Sequence, residues 1–199
     1  AGPPGTGKTM TAIEIINQAV KRNKTILATA DSNTAVDNLV ERLADSGLNV
    51  LRAGHPVRVT PLLREHTLDY KVLEHKDYQK AQQIREEAFE LKENQDEYIH
   101  PGGSMRRGMS DSQIKENAEK NRGSRGVSSS QMKKMAKWLE LQEEIDEYFS
   151  EVDRLENKAI NELIDEADVV CATNSTSGSD LMAEKEFDLV VIDEATQST

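Results

Sequence analysis

The sequence predicts an α/β fold in which a parallel sheet, with helices on both faces, is interrupted by an all-α insertion. Short apolar, β-branched segments alternate with amphipathic segments near both ends of the 199-residue chain. Such alternation is typical of a parallel sheet, and strands that are apolar throughout are those covered on both faces. Between about residues 61 and 167 the strand pattern gives way to helical spacing. We therefore predict one α/β domain formed by 1–60 and 168–199, with an insertion at 61–167.

The first α/β part is predicted to hold two helices and two strands after its glycine-rich opening. One helix covers 8–22 and is followed by the strand TILATA at 25–30. The second helix begins after Ser32 and ends before Gly47, and NVLRAG at 49–54 is a second strand. The apolar residues that define the two helical faces are Ile13, Ile16 and Val20 in the first helix and Val36, Leu39, Val40 and Leu43 in the second.

The last part is predicted to add two strands, DVVCAT at 168–173 and DLVVID at 188–193. Both are apolar enough to be buried on two faces, as the inner strands of parallel sheets are.

The insertion is predicted to be an antiparallel helical hairpin with a Gly/Ser-rich middle. Its two arms, within 68–98 and 138–163, keep apolar residues at intervals of three and four. These residues are Ala81, Ile84, Ala88 and Leu91 in the first arm and Leu141, Ile145, Tyr148, Val152, Leu155 and Ala159 in the second. In the middle, Ser110 with Gln113 and Ser128 with Gln131 match capping boxes, and we expect each pair to start a short helix.

Composition excludes several classes of protein. The single cysteine, Cys171, rules out an intramolecular disulfide and favours a small buried side chain in an intracellular protein, cytoplasmic or nuclear. The four scattered histidines lack metal-ligand spacing, and no apolar stretch is long enough to cross a membrane. The net charge is −11, but residues 101–137 hold nine basic and three acidic side chains. A local basic field is compatible with a polyanionic partner.

The opening segment GPPGTGKT matches the phosphate-binding loop pattern G-x-x-x-x-G-K-[ST] at every position. Glycines allow the backbone to approach a phosphate closely, and the N–H groups at the start of the following helix favour negative charge. The pattern predicts that Lys8 neutralises the terminal phosphates of ATP and that the hydroxyl of Thr9 binds Mg²⁺. The predicted nucleotide-binding residues are Gly2, Pro3, Pro4, Gly5, Thr6, Gly7, Lys8 and Thr9.

The closing segment VVIDEATQ places two acids directly after an apolar strand. A strand parallel to the one beside the phosphate loop brings its carboxyl end to the same edge of the sheet. We therefore predict that Asp193 binds the metal and that Glu194 accepts a proton from the water that attacks the γ-phosphate.

Several segments together resemble the RecA-like first motor domain of superfamily-one helicases. GPPGTGKT, ATADSNTAVDNL, LRAGHPVR, VVCATNSTSGSDL and VVIDEATQ occur in the order of motifs I, Ia, Ic and II. They look most like the Upf-like group, around the nonsense-mediated-decay helicase and the immunoglobulin mu-binding helicase. The resemblance implies an ATP-dependent helicase or translocase that uses Mg²⁺ and moves 5′ to 3′ on single-stranded DNA or RNA. It also implies that Gln197 senses the γ-phosphate.

The resemblance further implies that Ser32, Asn33, Thr173 and Asn174 touch the backbone of the single strand. A structural interpretation stays open for these four residues, since Ser32 could cap a helix and the other pair could form a turn. In the basic region we expect Arg122 and Arg125 to contact phosphates, with a solvated loop as the alternative. The residues do not distinguish DNA from RNA.

The family pattern also leads us to expect a fragment, truncated at both ends. Only Ala1 precedes the phosphate loop, and neither a GDxxQ segment nor a second motor domain follows Gln197. We expect that missing domain of the same protein as a partner, and negligible ATP hydrolysis by the fragment alone. Two alternatives remain: an ATP-gated nucleic-acid-binding or remodelling module that does not unwind, and, less favoured, a small-molecule kinase with a phosphate loop.

Overall fold

A computed structural model describes residues 8–57, 60–179, 181–183 and 185–193. The strands are β1 (Ile26–Ala30), β2 (Val50–Arg52), β3 (Val169–Thr173) and β4 (Leu189–Ile192). The helices are α1 (Lys8–Val20), α2 (Asn33–Asp45), α3 (Pro61–His66), α4 (Leu68–Glu74), α5 (Lys76–Gln95), α6 (Gly103–Arg106), α7 (Asp111–Glu119), α8 (Ser129–Asp165) and α9 (Asn174–Ser177). The order of elements confirms the predicted α/β class.

The four strands form one parallel sheet in the order β2-β3-β1-β4. Ile26 of β1 is in register with Val169 of β3 and with Leu189 of β4. At the amino end of the sheet the carboxylate of Asp188 accepts hydrogen bonds from the backbone N–H of Thr25 and from Lys24. These bonds lower the pKa of Asp188, and the bond from the backbone of Thr25 has the largest effect. They also fix the start of β4 beside β1.

The chain forms two compact units, residues 1–76 with 158–199 and residues 77–157. In the first, the sheet unit, alternate strand residues face opposite apolar clusters. One cluster packs α1 and α2 against Ile26, Ala28 and Cys171. The other packs the end of α8, together with Met182 and Phe187, against Leu27 and Val170. Both faces of β1 and β3 are therefore covered, as their apolar residues require. The prediction that β4 is also buried on two faces was wrong: β4 lies at the edge of the described sheet, and its Val190 and Ile192 are 52% and 51% exposed.

The second, the helical unit, contains most of α5 and α8, and their apolar residues pack together. Ala81, Val152 and Leu155 are buried in one cluster, and the rings of Phe89 and Phe149 meet edge to face with centroids 5.9 Å apart. A second cluster buries Ile114 of α7 with methionines of α8. In the described part of the chain no helix combines the length and the apolar character needed to cross a membrane.

The capping boxes of the insertion are both present, but one of them starts a long helix. Ser110 and Gln113 cap α7, a helix of 9 residues. Ser128 accepts a hydrogen bond from the backbone N–H of Gln131, yet the helix that follows is α8, with 37 residues. The prediction of a short helix here was wrong, because residues 129–165 contain neither glycine nor proline to end it.

Replacing Ile16 of α1 by alanine should lower the free energy of unfolding by about 2–5 kcal/mol, because its side chain is fully buried against the sheet. Ile15 provides a matched control in the same helix, since its side chain is 48% exposed. Ile15→Ala should change the free energy of unfolding by less than about 1 kcal/mol. Urea denaturation of the two variants measures both values, and equal losses would contradict the packing of α1.

Candidate functional site

Three strands of the sheet unit deliver polar segments to one edge of the sheet. Ala30 at the end of β1 is in register with Thr173 at the end of β3. Asp193 directly follows β4, and its backbone N–H donates a hydrogen bond to the carbonyl oxygen of Thr29 at 2.8 Å. Because all the strands are parallel, the segments that follow them lie together at the carboxyl edge.

The side chains of Thr9 and Asp193 meet at this edge. The hydroxyl of Thr9, in the first turn of α1, donates to Oδ2 of Asp193 across 3.0 Å. The two oxygen atoms are hard ligands of the kind that Mg²⁺ prefers. Their spacing is also that of neighbouring ligands around an octahedral ion with metal–oxygen distances of about 2.1 Å. The pair therefore fits a small divalent cation.

The other residues predicted to bind or hydrolyse the nucleotide lie outside the described residues. They are Gly2, Pro3, Pro4, Gly5, Thr6, Gly7, Glu194 and Gln197, together with the side chain of Lys8. The structure thus describes one pair from the predicted nucleotide site, Thr9 with Asp193.

Ser32 and Asn33 lie where β1 leads into α2, and both have structural contacts. Ser32 caps α2, because its Oγ accepts a hydrogen bond from the N–H of Ala35 at 3.2 Å. The Oδ1 atom of Asn33 accepts a hydrogen bond of 2.7 Å from the guanidinium of Arg52. Both residues are nevertheless exposed at the carboxyl edge.

Arg52 is the residue at this edge that the sequence analysis missed. Its side chain is 0% exposed, and its Nε lies 3.3 Å from Oδ1 of Asp37 on α2, which is also buried. Two signals could have found the pair. A basic residue ends an otherwise apolar strand, and an acid stands among the apolar residues on the buried face of a neighbouring helix. Buried charges of this kind are almost always paired.

Thr173 and Asn174 follow β3 at the same edge. Thr173 caps the short helix α9, accepting a hydrogen bond from the N–H of Thr176 at 3.1 Å. Asn174 lines an open cavity of about 270 Å³ together with Asp31 and Ser177. The cap explains the conformation of this turn, and Asn174 remains at the surface of the cavity.

In the helical unit, Arg125 lies opposite Arg107. Each guanidinium donates to the backbone carbonyl of the other arginine at 2.9 Å. Both arginines have positive φ, and each is followed by a glycine with positive φ. Arg125 and Gly126 form the tight turn between Ser124 and Val127, a position where asparagine or glycine would be usual. Arg122, which precedes Arg125 by three residues, is also exposed.

Cys171 lies inside the sheet and is not part of the exposed edge. It is fully buried, and that burial raises the pKa of its thiol to about 12, although the positive charge of Arg52 acts in the opposite direction. The thiol is therefore neutral and unreactive in the folded chain.

Comparison with known proteins identifies a family and several relatives. A family described as an AAA domain matches residues 1–199. An uncharacterized ATP-dependent helicase of Methanocaldococcus jannaschii is 43% identical over 200 residues, which are 99% of this chain and 30% of that protein. DNA-binding protein SMUBP-2 of Mus musculus is 37% identical, with 99% of this chain and 17% of that protein covered. A regulator of nonsense transcripts 1 homolog of Drosophila melanogaster is 29% identical, with coverage of 100% and 13%.

Alkylation of Cys171 should require unfolding. At pH 8.5, iodoacetamide should leave the folded chain unmodified and react within minutes in denaturant, because a thiol with a pKa of about 12 forms little thiolate at that pH. Mass spectrometry of the two samples measures the modified fraction. Equal labelling with and without denaturant would contradict the burial of this side chain.

Proposed function

We propose that this chain, which belongs to the AAA-domain family matched along its whole length, is the nucleotide-binding motor domain of an ATP-dependent nucleic-acid helicase. Its relatives confirm the resemblance to superfamily-one helicases. It spans less than a third of the length of the relatives described above. The activity of the whole protein, its nucleic-acid track and the second motor domain that would complete the ATP site are accordingly part of the proposal.

The observation that carries this proposal is the contact between Thr9 and Asp193. It joins the helix after the phosphate-loop sequence to the acid that ends the VVIDEATQ strand, 184 positions away. A hydroxyl from the phosphate loop and a carboxylate from a neighbouring strand are the two protein ligands of Mg²⁺ in nucleotide-hydrolysing enzymes with this loop.

We assign the remaining nucleotide-site residues from the same pattern. The loop from Gly2 to Gly7 would enclose the phosphates, with backbone N–H groups donated by its non-proline residues, and Lys8 would neutralise the β- and γ-phosphates. Mg²⁺, held by Thr9 and Asp193 directly or through water, would neutralise phosphate charge that develops during transfer. Glu194 would accept the proton of the attacking water, and Gln197 would contact the γ-phosphate.

The nucleic-acid track would be the carboxyl edge of the sheet around Ser32, Asn33, Thr173 and Asn174. Parallel register places these residues at neighbouring strand ends, and their short polar side chains suit phosphate oxygens. We propose single-stranded nucleic acid as the ligand and 5′-to-3′ movement along it. Nothing in these side chains favours DNA over RNA, since both present the same phosphates and only a contact to the 2′-hydroxyl would discriminate.

We propose that the helical unit contributes a second phosphate contact through Arg122 and Arg125. In the described chain neither Arg107 nor Arg125 has a carboxylate within ion-pair distance, although the protein as a whole is acidic. Arginine at positive φ costs about 1 kcal/mol or more relative to glycine. Arg122 is exposed three residues before Arg125, and the guanidinium groups of both arginines offer donors whose geometry matches phosphate oxygens.

Asp193→Asn should lower ATP turnover of the whole protein by about 100-fold or more, because weaker metal binding raises the activation free energy of hydrolysis by several kcal/mol. Hydrolysis should be measured with and without single-stranded DNA and RNA. The matched control is Asp45→Asn, which changes an exposed acid at the end of α2 and should leave turnover unchanged.

Two results would count against the proposal. Equal turnover in Asp193→Asn and in the control would contradict the proposed nucleotide site. A rate of ATP hydrolysis in the unsubstituted protein that neither DNA nor RNA changes would contradict the proposed nucleic-acid track. Strand separation on a duplex with a single-stranded end then distinguishes a helicase from a remodelling module that binds without unwinding.

Arg122→Gln and Arg125→Gln should each weaken binding to single-stranded oligonucleotides of every sequence. If each arginine contacts one phosphate, each change should reduce the slope of log K against log salt concentration by about 0.7. Fluorescence anisotropy at several salt concentrations measures the slope. Lys21→Gln, an exposed cation just after α1, is the control, and an equal change in all three slopes would indicate a general charge effect.

A further inference from the structure

The buried guanidinium of Arg52 is the centre of a hydrogen-bond network at the carboxyl edge of the sheet. Arginine has five N–H donors and no acceptor. Here they reach Asp37 on one side, the carbonyl oxygens of Ala53 and His55 on another, and the side chain of Asn33. The second oxygen of Asp37 accepts the N–H of Val57 at 2.9 Å. One buried ion pair thus fixes both the start of α2 and the loop at 53–57.

This network determines which way the amide of Asn33 points. The oxygen and nitrogen of an asparagine amide are usually hard to tell apart, but a guanidinium can only donate. Oδ1 must therefore face Arg52, which it contacts at 2.7 Å, and Nδ2 must point away from it. Asn33 is exposed, and in the described part of the chain Nδ2 makes no hydrogen bond.

We propose that Arg52 is a positioning residue, which orients Asn33 so that Nδ2 donates a hydrogen bond to a phosphate oxygen of the bound single strand. The inference rests on the proposed function, because it assumes that the carboxyl edge is the nucleic-acid track. It adds the atom that makes the contact and the residue that orients it. An amide held before binding loses less rotational freedom when the strand arrives, which favours the complex.

A purely structural role for Asn33 makes a different prediction, and Asn33→Asp separates the two. Aspartate keeps an oxygen for Arg52 but replaces the N–H donor with a second acceptor. If Nδ2 contacts phosphate, Asn33→Asp should weaken single-strand binding at least 10-fold, while the thermal stability of the protein stays the same or rises. If Asn33 only completes the network, binding should change no more than an added negative charge requires.

Thr34→Asp supplies the matched control for that added charge. Thr34 is the next residue of α2, and it is exposed. A carboxylate there should weaken binding about 3-fold or less by general repulsion. Affinities of the whole protein for a 12-nucleotide oligo-dT and for oligo-U, measured by fluorescence anisotropy at one salt concentration, give the comparison.

A second measurement tests Arg52 itself through the mobility of the Asn33 amide, which is compared only between proteins whose NMR spectra show that they are folded. In a ¹⁵N-labelled protein, the side-chain amide of Asn33, assigned by its absence in Asn33→Asp, should be rigid before ligand is added and should shift when the oligonucleotide binds. In Arg52→Lys, which keeps a positive charge but lacks the planar fork, the same amide should become mobile and affinity should fall as in Asn33→Asp. Combining the two substitutions should weaken binding no further, because both act through one contact.

The outcomes distinguish this inference from the proposed function. Equal affinities of Asn33→Asp and Thr34→Asp, or an Asn33 amide that does not shift on binding, would overturn the inference while single-strand binding itself stands. Failure of the unsubstituted protein to bind either oligonucleotide would overturn the proposed track, and the inference with it.

Discussion

The parallel pairing of the strands is the constraint on which the rest of the structure depends. Because β1 pairs with β3 on one side and with β4 on the other, the polar segments that follow these strands emerge at one edge of the sheet. Residues from both ends of the chain meet there, as Thr9 and Asp193 show. Parallel strands need long connections between them, and such a connection tolerates an inserted unit far better than a tight turn would. The helical unit at 77–157 occupies the connection between β2 and β3.

Local patterns predicted the fold class well, since they depend on residues that are close in sequence. The apolar, β-branched runs correctly marked all four described strands, and Ser32 and Ser110 correctly marked helix starts. The length of α8 was not predicted, because a capping box shows where a helix begins and says nothing about where it ends. Only an uninterrupted sequence without glycine or proline, from Ser129 to Asp165, carried that information.

The candidate site was predictable only in part, for a different physical reason. The approach of Thr9 to Asp193 followed from motif resemblance and from the rule that parallel strands end at one edge, whereas periodicity carries no information over 184 positions. The Arg52 network escaped the sequence analysis because its acceptors come from two elements, and no local pattern shows that a basic residue is paired inside. A charged residue in an apolar strand is therefore best interpreted together with charges on the buried faces of neighbouring helices.

The same strand order has a consequence for how the chain folds as it is synthesised. Both described partners of β1 lie far along the chain, with Ile26 pairing with Val169 and Leu189. At a synthesis rate of about 5–20 residues per second, β1 waits roughly 7–30 seconds for its first partner. Helical contacts within 77–157 are local and form much faster. Early folding of that unit cannot shorten this wait, which synthesis sets, but it shortens the effective loop that must close once β3 has been made and removes the apolar residues of 77–157 from contact with the exposed strand.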